Sequence, residues 1–487
     1  MSRILFSHSY FLKLDSKQWE LSQPYAPLAT ITAAAVMREE KQEVFLFDPM
    51  FAESADEVRA TLATTKPHYF VLYDDGFNYL SKMCLTNMRH AAFEMIALAK
   101  TEGCRIIVSS SDATDHISQY MEKGADFIIL GEAEQTLKEL ILCLEKKESP
   151  KNIPGLAFQE KEDIVKTVSR AVMRNLDSLP FPAWDLINVD EYRRRWMDHY
   201  GYFSVNMVTT RGCPYQCNWC AKPIYGNRYN SRSPQEVVTE IVFLKNLFSF
   251  DHIWFCDDIF GLKPGWVTAF AEEIKKQGVV IKYKIQSRAD LLTAENYVKA
   301  LALSGCETVW MGAESGSQKI LDAMDKGTTV EQITQATTLL KSHHIRPSFF
   351  LQFGYPGETM DDIEATIHLV NKLLPEDIGV SISYPLPGTV FHQRVKEELK
   401  QKANWTDSDD LELMFSNTYS PGFYKQLHRY VHKNYRKHQG YETIKNLFLH
   451  PLRTNFKSLQ RVAALVYYIP VVKRERKKLD HLVPATV

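Results

Sequence analysis

Short β-rich runs alternate with helix-patterned stretches twice along this chain, and that alternation limits it to a small set of folds. The first series reads RILFSH (3–8), EVFLFD (43–48), YFVLYD (69–74), RIIVSS (105–110) and FIILG (127–131), with helical patterns at 30–40, 81–101 and 134–146. Continuous apolar strands joined by helical crossovers predict an open, doubly wound parallel sheet covered on both faces. Such a sheet binds ligands beyond the C-terminal ends of its strands. Here those ends read Tyr73-Asp74-Asp75-Gly76, Ser109-Ser110-Ser111-Asp112 and Gly131-Glu132-Ala133-Glu134.

The second series is FSVNMVTT (203–210), HIWFCDD (252–258), IKYKIQSRAD (281–290), TVWMGAES (308–315), RPSFFLQFG (346–354) and IGVSISYPLP (378–387). Helical patterns at 234–249, 264–277, 293–304, 329–343 and 359–374 separate the strands. Six βα units predict a partial (β/α)6 barrel with its active groups on the loops after the strands. Between the two series, NIPGLAFQEKEDIVKTV (152–168) reads as a hairpin and LDSLPFPAW (176–184) as a Pro-rich connection. From about 406 the pattern is mostly helical. The expected organisation is 1–148, a sheet domain; 149–196, a hairpin and linker; 197–405, the barrel; and 406–487, a helical basic region.

At 487 residues, with 45% hydrophobic and 24% charged residues, the chain is globular and long enough for two or three domains. Eight cysteines at irregular spacing do not read as a disulfide framework and suit a reducing compartment. The apolar run at the N-terminus is too short for a signal peptide, and the longest apolar stretch, VAALVYYIPVV (462–472), is interrupted by Pro470. A cytoplasmic protein is expected. The net charge of −1 hides an asymmetry: residues 421–487 carry 14 Lys and Arg against 3 acids, the preceding 420 residues 44 against 56. A basic tail on an acidic body meets either an external anion or the body itself.

Three cysteines, Cys213, Cys217 and Cys220, lie in RGCPYQCNWC (211–220), on the loop after the first barrel strand. C-x3-C-x2-C is one ligand short of a closed zinc or iron–sulfur site. Three thiolates suit a 4Fe-4S cluster whose fourth iron stays open to a small molecule. A Cys3His zinc site would need His199 or His252, neither at knuckle spacing, and Cys256 is a fourth-ligand or a core residue.

With an aromatic, Trp219, before the last cysteine, this loop resembles that of the radical S-adenosylmethionine (SAM) enzymes. The resemblance runs over about 200–395 and includes FCDDIF (255–260), MGAESGSQKIL (311–321), FGYPGET (353–359) and YPLPGT (384–389). It implies a cluster that chelates SAM and cleaves it to methionine and a 5′-deoxyadenosyl radical. It places Asp257 or Asp258 at the SAM ammonium and Glu314 or Ser315 at the ribose. Gln286 and Arg288 fall near the ribose or carboxylate, Trp219 near the adenine, and Gly312, Gly354 and Gly357 on SAM-facing loops. Bland readings stand beside these: a helix cap for Asp257 and Asp258, a salt bridge for Glu314, turn geometry for Gly354 and Gly357.

PYAPLATITAAAVMREE (24–40), GADFIILGEAEQTL (124–137) and the Pro-rich linker resemble the cobalamin-dependent branch of that family, which includes the anaerobic magnesium-protoporphyrin IX monomethyl ester cyclase. The fold implied is a Rossmann-like, cobalamin-binding sheet domain followed by a radical SAM barrel. Asp74, Asp75, Ser110, Ser111, Gly131, Glu132 and Glu134 are the residues implied at cobalamin. The branch's D-x-H-x-x-G motif is absent, since Asp115 and His116 are adjacent, so a cobalt without protein histidine is expected; SSSD (109–112) replaces a Gly-rich turn. A Rossmann-like domain that merely covers the barrel is the rival. The Met-rich stretch 82–99 reads as core packing.

In the tail, Tyr424, Leu427, Val431 and Tyr435 share one helix face while Lys425, Arg429, Lys433 and Arg436 lie elsewhere, which reads as a packed helix with a solvated basic face. KRERKK (473–478) beside an apolar stretch makes contact with a membrane surface or an anionic substrate the functional alternative; no nucleic-acid module is visible. The expected reaction is radical attack on an unactivated C–H bond for methyl transfer through methylcobalamin. The alternatives are radical cyclisation or oxidation and, outside enzymes, an iron–sulfur or cobalamin sensor. A methylthiotransferase would bring a second cysteine triad, which dispersed Cys84, Cys104 and Cys143 do not form. The expected partners are a small-molecule substrate and an external one-electron reductant such as flavodoxin or ferredoxin.

Overall fold

Two parallel sheets carry the chain, as the alternation predicts. The structure is a computed structural model that describes residues 1–222, 224–399, 402, 404–449 and 456–483. The first sheet contains β1 (Arg3–Ser7), β2 (Glu43–Leu46), β3 (Tyr69–Tyr73), β4 (Arg105–Ser109), β5 (Phe127–Ile129), β6 (Leu156–Glu160) and β7 (Asp163–Lys166), in the order β2-β1-β3-β4-β5-β6-β7. Its first five strands are parallel. Phe70, Val71 and Leu72 are fully buried on successive positions of β3, because helices cover both faces. The chain reverses its direction of growth between β1 and β3, the place where such sheets open a crevice. The hairpin expected in the connection is no free connector. It adds β6 antiparallel to β5 and β7 to β6, and so extends the first sheet.

The single helix expected over 81–101 is split into Tyr79–Lys82 and Thr86–Thr101. Cys84, at φ +55°, turns the chain between them. Met88 and Met95 lie in the core, as their spacing predicts.

The second sheet follows a helix at Val189–Tyr200. Its strands are β8 (Ser204–Met207), β11 (His252–Phe255), β12 (Tyr283–Ser287), β13 (Cys306–Glu314), β14 (Arg346–Phe353) and β15 (Ile378–Ile382); β9 (Thr210–Arg211) and β10 (Asn230–Ser231) form a separate two-residue ladder. All six strands are parallel and neighbour one another in chain order, which curls the sheet into half a barrel. Five helices, Pro234–Leu247, Trp266–Lys276, Glu295–Leu303, Val330–Ser342 and Met360–Leu373, cross between strands on the outer face. Phe255 and Tyr283 pack edge-on against Phe270 of the second of these. Trp254, Lys284 and Gln286 therefore fall on the concave face.

The tail forms helices at Pro421–Leu449, Phe456–Ala463 and Leu465–Asp480. Tyr424, Leu427, Val431 and Tyr435 are buried, as the stripe predicts. Pro470 does not end its helix. It is exposed, so the carbonyl that loses its N–H partner can turn to water. Part of the basic charge meets the body: Arg436 pairs with Asp377 at 3.1 Å, Arg461 with Glu376 at 3.3 Å, and Arg476 with Glu364, while Lys433 pairs within the tail, with Glu475 at 3.2 Å. Among the described residues no helix is long and apolar enough to cross a membrane.

Candidate active site at the barrel mouth

The cysteine loop leaves β8 under tight backbone control. Asp257, 1% exposed, accepts hydrogen bonds from the backbone N–H groups of Thr209 and Thr210 and from the Thr209 hydroxyl, each at 2.7 Å. Burial pushes its carboxyl up to about 6, and these donors oppose that rise. Asp257 thus anchors the strand exit, while its neighbour Asp258 pairs with Lys82 of the first domain at 2.7 Å. Gly212 follows at φ +77°, where a Cβ would stand 1.9 Å from the Arg228 carbonyl oxygen, so glycine is required.

Asn218 pins the middle of the loop. Its N–H donates to Met324 O (3.1 Å) and its side-chain amide to Ala323 O (2.7 Å) and Asp325 (2.9 Å); its Oδ1 accepts from the Tyr355 hydroxyl (2.8 Å). Lys222 folds the loop's far side, donating to Cys213 O at 3.0 Å and also to Tyr215 O. Cys213, Cys217 and Cys220 are free thiols, partly exposed and within electrostatic reach of one another. Among the described residues no three His, Cys, Asp or Glu side chains are drawn together as a metal-ligand set. Burial pushes the Cys220 thiol up to about 12, with Asp258 adding to the rise and Lys222 and Lys82 opposing it.

The donor set fits an open cluster better than zinc. Cys256 is buried, with its thiol donating to Met207 O, and His252 bonds Ser204 at 2.9 Å. His199 bonds its own helix, at Arg195 O.

Beside this loop lies a buried ion pair. Glu314 sits at φ +58° on a bulge of β13, and its Oε1 meets Lys326 Nζ at 2.8 Å. Gly312 makes the space: a Cβ there would lie 2.6 Å from both charged groups. Left-handed backbone at a glutamate is strained, and such strain collects at working sites. Burial alone would lower the Lys326 ammonium, but Glu314 and then Cys217 outweigh it and raise it. The ammonium stands 5.9 Å from the Trp219 ring centre. Trp219 Nε1 is buried without a partner among the described residues.

Arg288 stacks 3.6 Å over Tyr215 and bonds Asp290 at 3.0 Å and Lys326 O at 3.0 Å. Gln286 is half-buried on the concave face. Gly354 and Gly357 take positive φ, and Gly354 N–H donates to Glu358 at 2.7 Å. Ser315 is fully buried against the Thr366 hydroxyl at 3.1 Å. Asn218, Lys326 and Tyr355 escape sequence reasoning. They lie in stretches without periodicity, and their contacts are made across distant loops.

The strand ends of the first sheet face this mouth. Asp74 accepts from Ser9 N–H at 2.7 Å and the Ser9 hydroxyl at 3.0 Å; Asp75 accepts from Phe77 N–H at 3.0 Å. Ser110 caps the helix Ser111–Asp115 through Ala113 N–H. Gly131 turns the chain at φ +83°, and Glu132 and Glu134 clamp Arg211 of the barrel, at 2.5 and 2.6 Å. Tyr225 stacks on Phe77 with ring centres 5.2 Å apart. The crevice between β1 and β3 measures only about 10 Å³ and is lined in part by Ser9, Tyr10, Asp74 and Arg89. Tyr10 Oη in it is buried without a partner, and the Ser109 and Ser111 hydroxyls make no side-chain bond among the described residues. His8 is engaged by Asp48 at 3.0 Å and His116 by Asp112.

Residues 207–370 match the family model described as the radical SAM superfamily. They are a radical SAM domain. The chain is 32% identical over 284 residues to an "uncharacterized methyltransferase" of Pyrococcus horikoshii, covering 58% of this chain and 60% of that protein. It is 26% identical to the anaerobic magnesium-protoporphyrin IX monomethyl ester cyclase of Cereibacter sphaeroides, covering 60% and 49%. These matches thus span half to three-fifths of those relatives. The hopanoid C-3 methylase of Methylococcus capsulatus is 24% identical over 94% of this chain and 86% of its own. In fold the chain is similar to the cobalamin-dependent SAM radical enzyme OxsB with aqua-cobalamin bound, at TM-score 0.75 and 19% identity over 96% of this chain and 71% of that one. The matched residues start at Met207, the end of β8, and the cysteine loop, the Glu314–Lys326 pair and Arg288 all lie within them.

Proposed function

We propose that this chain is a cobalamin-dependent radical SAM enzyme that methylates an unactivated carbon. One observation carries the reading: the free thiols of Cys213, Cys217 and Cys220 lie at the mouth of a parallel half-barrel, beside the Glu314–Lys326 pair. The relatives named as methyltransferase and methylase support methyl transfer over cyclisation, and the fold shared with OxsB supports cobalamin.

The three cysteines would hold three irons of the cluster and leave the fourth to SAM. When bound, cluster and SAM supply a carbon radical that takes hydrogen from an unactivated C–H bond, and cobalamin supplies the methyl group. Lys82, Lys222 and Lys326 offset the negative charge that the thiolates bring. Trp219 Nε1–H offers a donor to SAM. Of the two acids, Asp258 suits the SAM ammonium, because its side chain is 36% exposed whereas Asp257 is buried; Asp257 is a positioning residue acting through Thr209 and Thr210. Tyr10, Ser109 and Ser111 would offer hydroxyls to cobalamin, and His8 and His116, engaged by Asp48 and Asp112, would not be free to bind its cobalt. The electron comes from an external donor of the flavodoxin or ferredoxin type. Arg436, Arg461 and Arg476 of the tail pair with barrel carboxylates, which supports the reading of the tail as a helical layer packed on the barrel.

The test is anaerobic reconstitution with iron, sulfide and hydroxocobalamin, then reduction in the presence of methyl-labelled SAM. Labelled methylcobalamin and 5′-deoxyadenosine are expected. Cleavage of SAM without labelling of cobalt would shift the reading to cyclisation or oxidation. No cluster and no cleavage would overturn it.

A further inference from the structure

The concave face of the half-barrel carries a charge that the reading above does not use. Trp310 of β13 and Phe350 of β14 stack there with ring centres 4.7 Å apart. Gly379 of β15 makes their room, since a Cβ there would lie 3.2 Å from Phe350 and 3.4 Å from Trp310. On the opposite side Tyr25, from the segment ahead of the helix Leu28–Glu39, packs on Trp254 of β11 at 4.6 Å. Lys284 of β12 stands with its Nζ 5.2 Å from the Trp254 ring centre and 5.3 Å from that of Tyr25. Tyr25, Trp254, Lys284, Gln286, Trp310 and Phe350 are all partly exposed, so solvent can reach this face of the barrel lumen.

Lys284 has no carboxylate partner among the described residues; two aromatic faces are what its charge meets. Cation–π contact compensates an ammonium less well than an anion does. Burial lowers the Lys284 ammonium to about 8, which leaves it largely protonated at neutral pH. The more deeply buried cations of this chain have anions, Lys326 in Glu314 and Arg211 in Glu132 and Glu134, whereas Lys284, partly exposed, keeps its charge free for a ligand.

We infer that the lumen binds the substrate as an organic anion, with a flat apolar body against Trp254, Trp310 and Phe350 and a carboxylate or phosphate on Lys284. The inference rests on the reading of this barrel as a radical SAM enzyme only in calling the bound anion the substrate. The Gln286 amide, two residues along the same face toward the cysteine loop, offers a donor and an acceptor to the part of the substrate nearest the mouth.

The test uses the full chain and two probes of equal shape, 2-naphthoate and 2-naphthalenemethanol, titrated by calorimetry at pH 7. Wild type should bind the acid at least tenfold more tightly than Lys284→Met or Lys284→Gln does. The alcohol should bind all three alike, and Lys284→Arg should keep the acid within about threefold. Two variants guard against one that fails to fold. Equal binding of the acid by wild type and both neutral variants overturns the inference, as does a wild type that does not prefer acid to alcohol. SAM cleavage by reconstituted wild type is measured separately: preference for the acid without cleavage keeps the anion site and removes the radical reading.

Discussion

Two rims of strand ends face one another in this molecule, and their polar residues have different fates. At the barrel mouth some chemistry-bearing groups are positioned but not consumed: three free thiols and the orphaned Trp219 Nε1. At the rim of the first sheet the carboxylates are consumed: Asp74 by Ser9, Glu132 and Glu134 by Arg211. Charged residues at strand ends are therefore not ligands by position alone. What separates a site from a joint is whether the buried polar atoms already have partners.

The largest effect tests the unconsumed side. Replacing Cys213, Cys217 and Cys220 together by Ala should abolish iron–sulfur absorbance after anaerobic reconstitution while far-ultraviolet circular dichroism stays as in wild type. Iron and sulfide equal to wild type would move the cluster elsewhere. On the consumed side, Arg211→Met leaves two buried carboxylates without a cation and should cost ~3–5 kcal/mol in urea unfolding. Adding Glu132→Gln and Glu134→Gln should recover much of that loss; a triple variant as unstable as the single one would show that Arg211 matters through packing on Phe77 and Tyr225.

Asp75 gives a pH test of the same rim. Burial raises its carboxyl from 3.8 to about 6 in the folded chain, so ionisation favours the unfolded state. Its contribution is fully present below pH 3.8 and is lost as pH rises through 6. Asp75→Asn keeps the acceptor for Phe77 N–H, so its stability relative to wild type should grow between pH 4 and 6 and level off above, by ~2–3 kcal/mol. A difference flat across that range would contradict the burial argument. At the mouth, Asp258→Ala should weaken SAM binding by about tenfold or more, the loss of a charge-assisted contact worth ~1.5–3 kcal/mol, with cluster content unchanged.

The sequence shows the sheets and the mouth more clearly than the joint. β-rich runs and helical crossovers repeat with a period that only two parallel sheets satisfy, and the cysteine spacing marks its own loop. The hairpin was visible, but not its attachment to β5, because strand pairing across an edge leaves no local pattern. Glu132 and Glu134 stood out as a motif, yet their partner Arg211 lies 77 residues or more away and has no signature beyond preceding Gly212. Lys326 and Asn218 were illegible for the same reason: a long-range polar contact is specified by the fold, not by spacing along the chain.

The smallest effect concerns an arginine that resembles Arg211 in chemistry and differs in burial. Arg461 pairs with Glu376 at 3.3 Å, both side chains a little under half exposed. Water screens such a pair, and two long side chains must be ordered to make it. Arg461→Ala should therefore cost less than about 1 kcal/mol, and the cost should fade as salt rises from 0.05 to ~0.5 M, where screening lengths fall below the size of the site. Arg211→Met should show little salt dependence, since its carboxylates lie out of reach of ions. Urea unfolding of both variants across that salt range puts the two on one scale. If Arg461→Ala cost as much as Arg211→Met and ignored salt, the basic tail would be a load on the barrel fold rather than a surface layer held by exposed charge, and burial would lose its place as the variable that ranks these ion pairs.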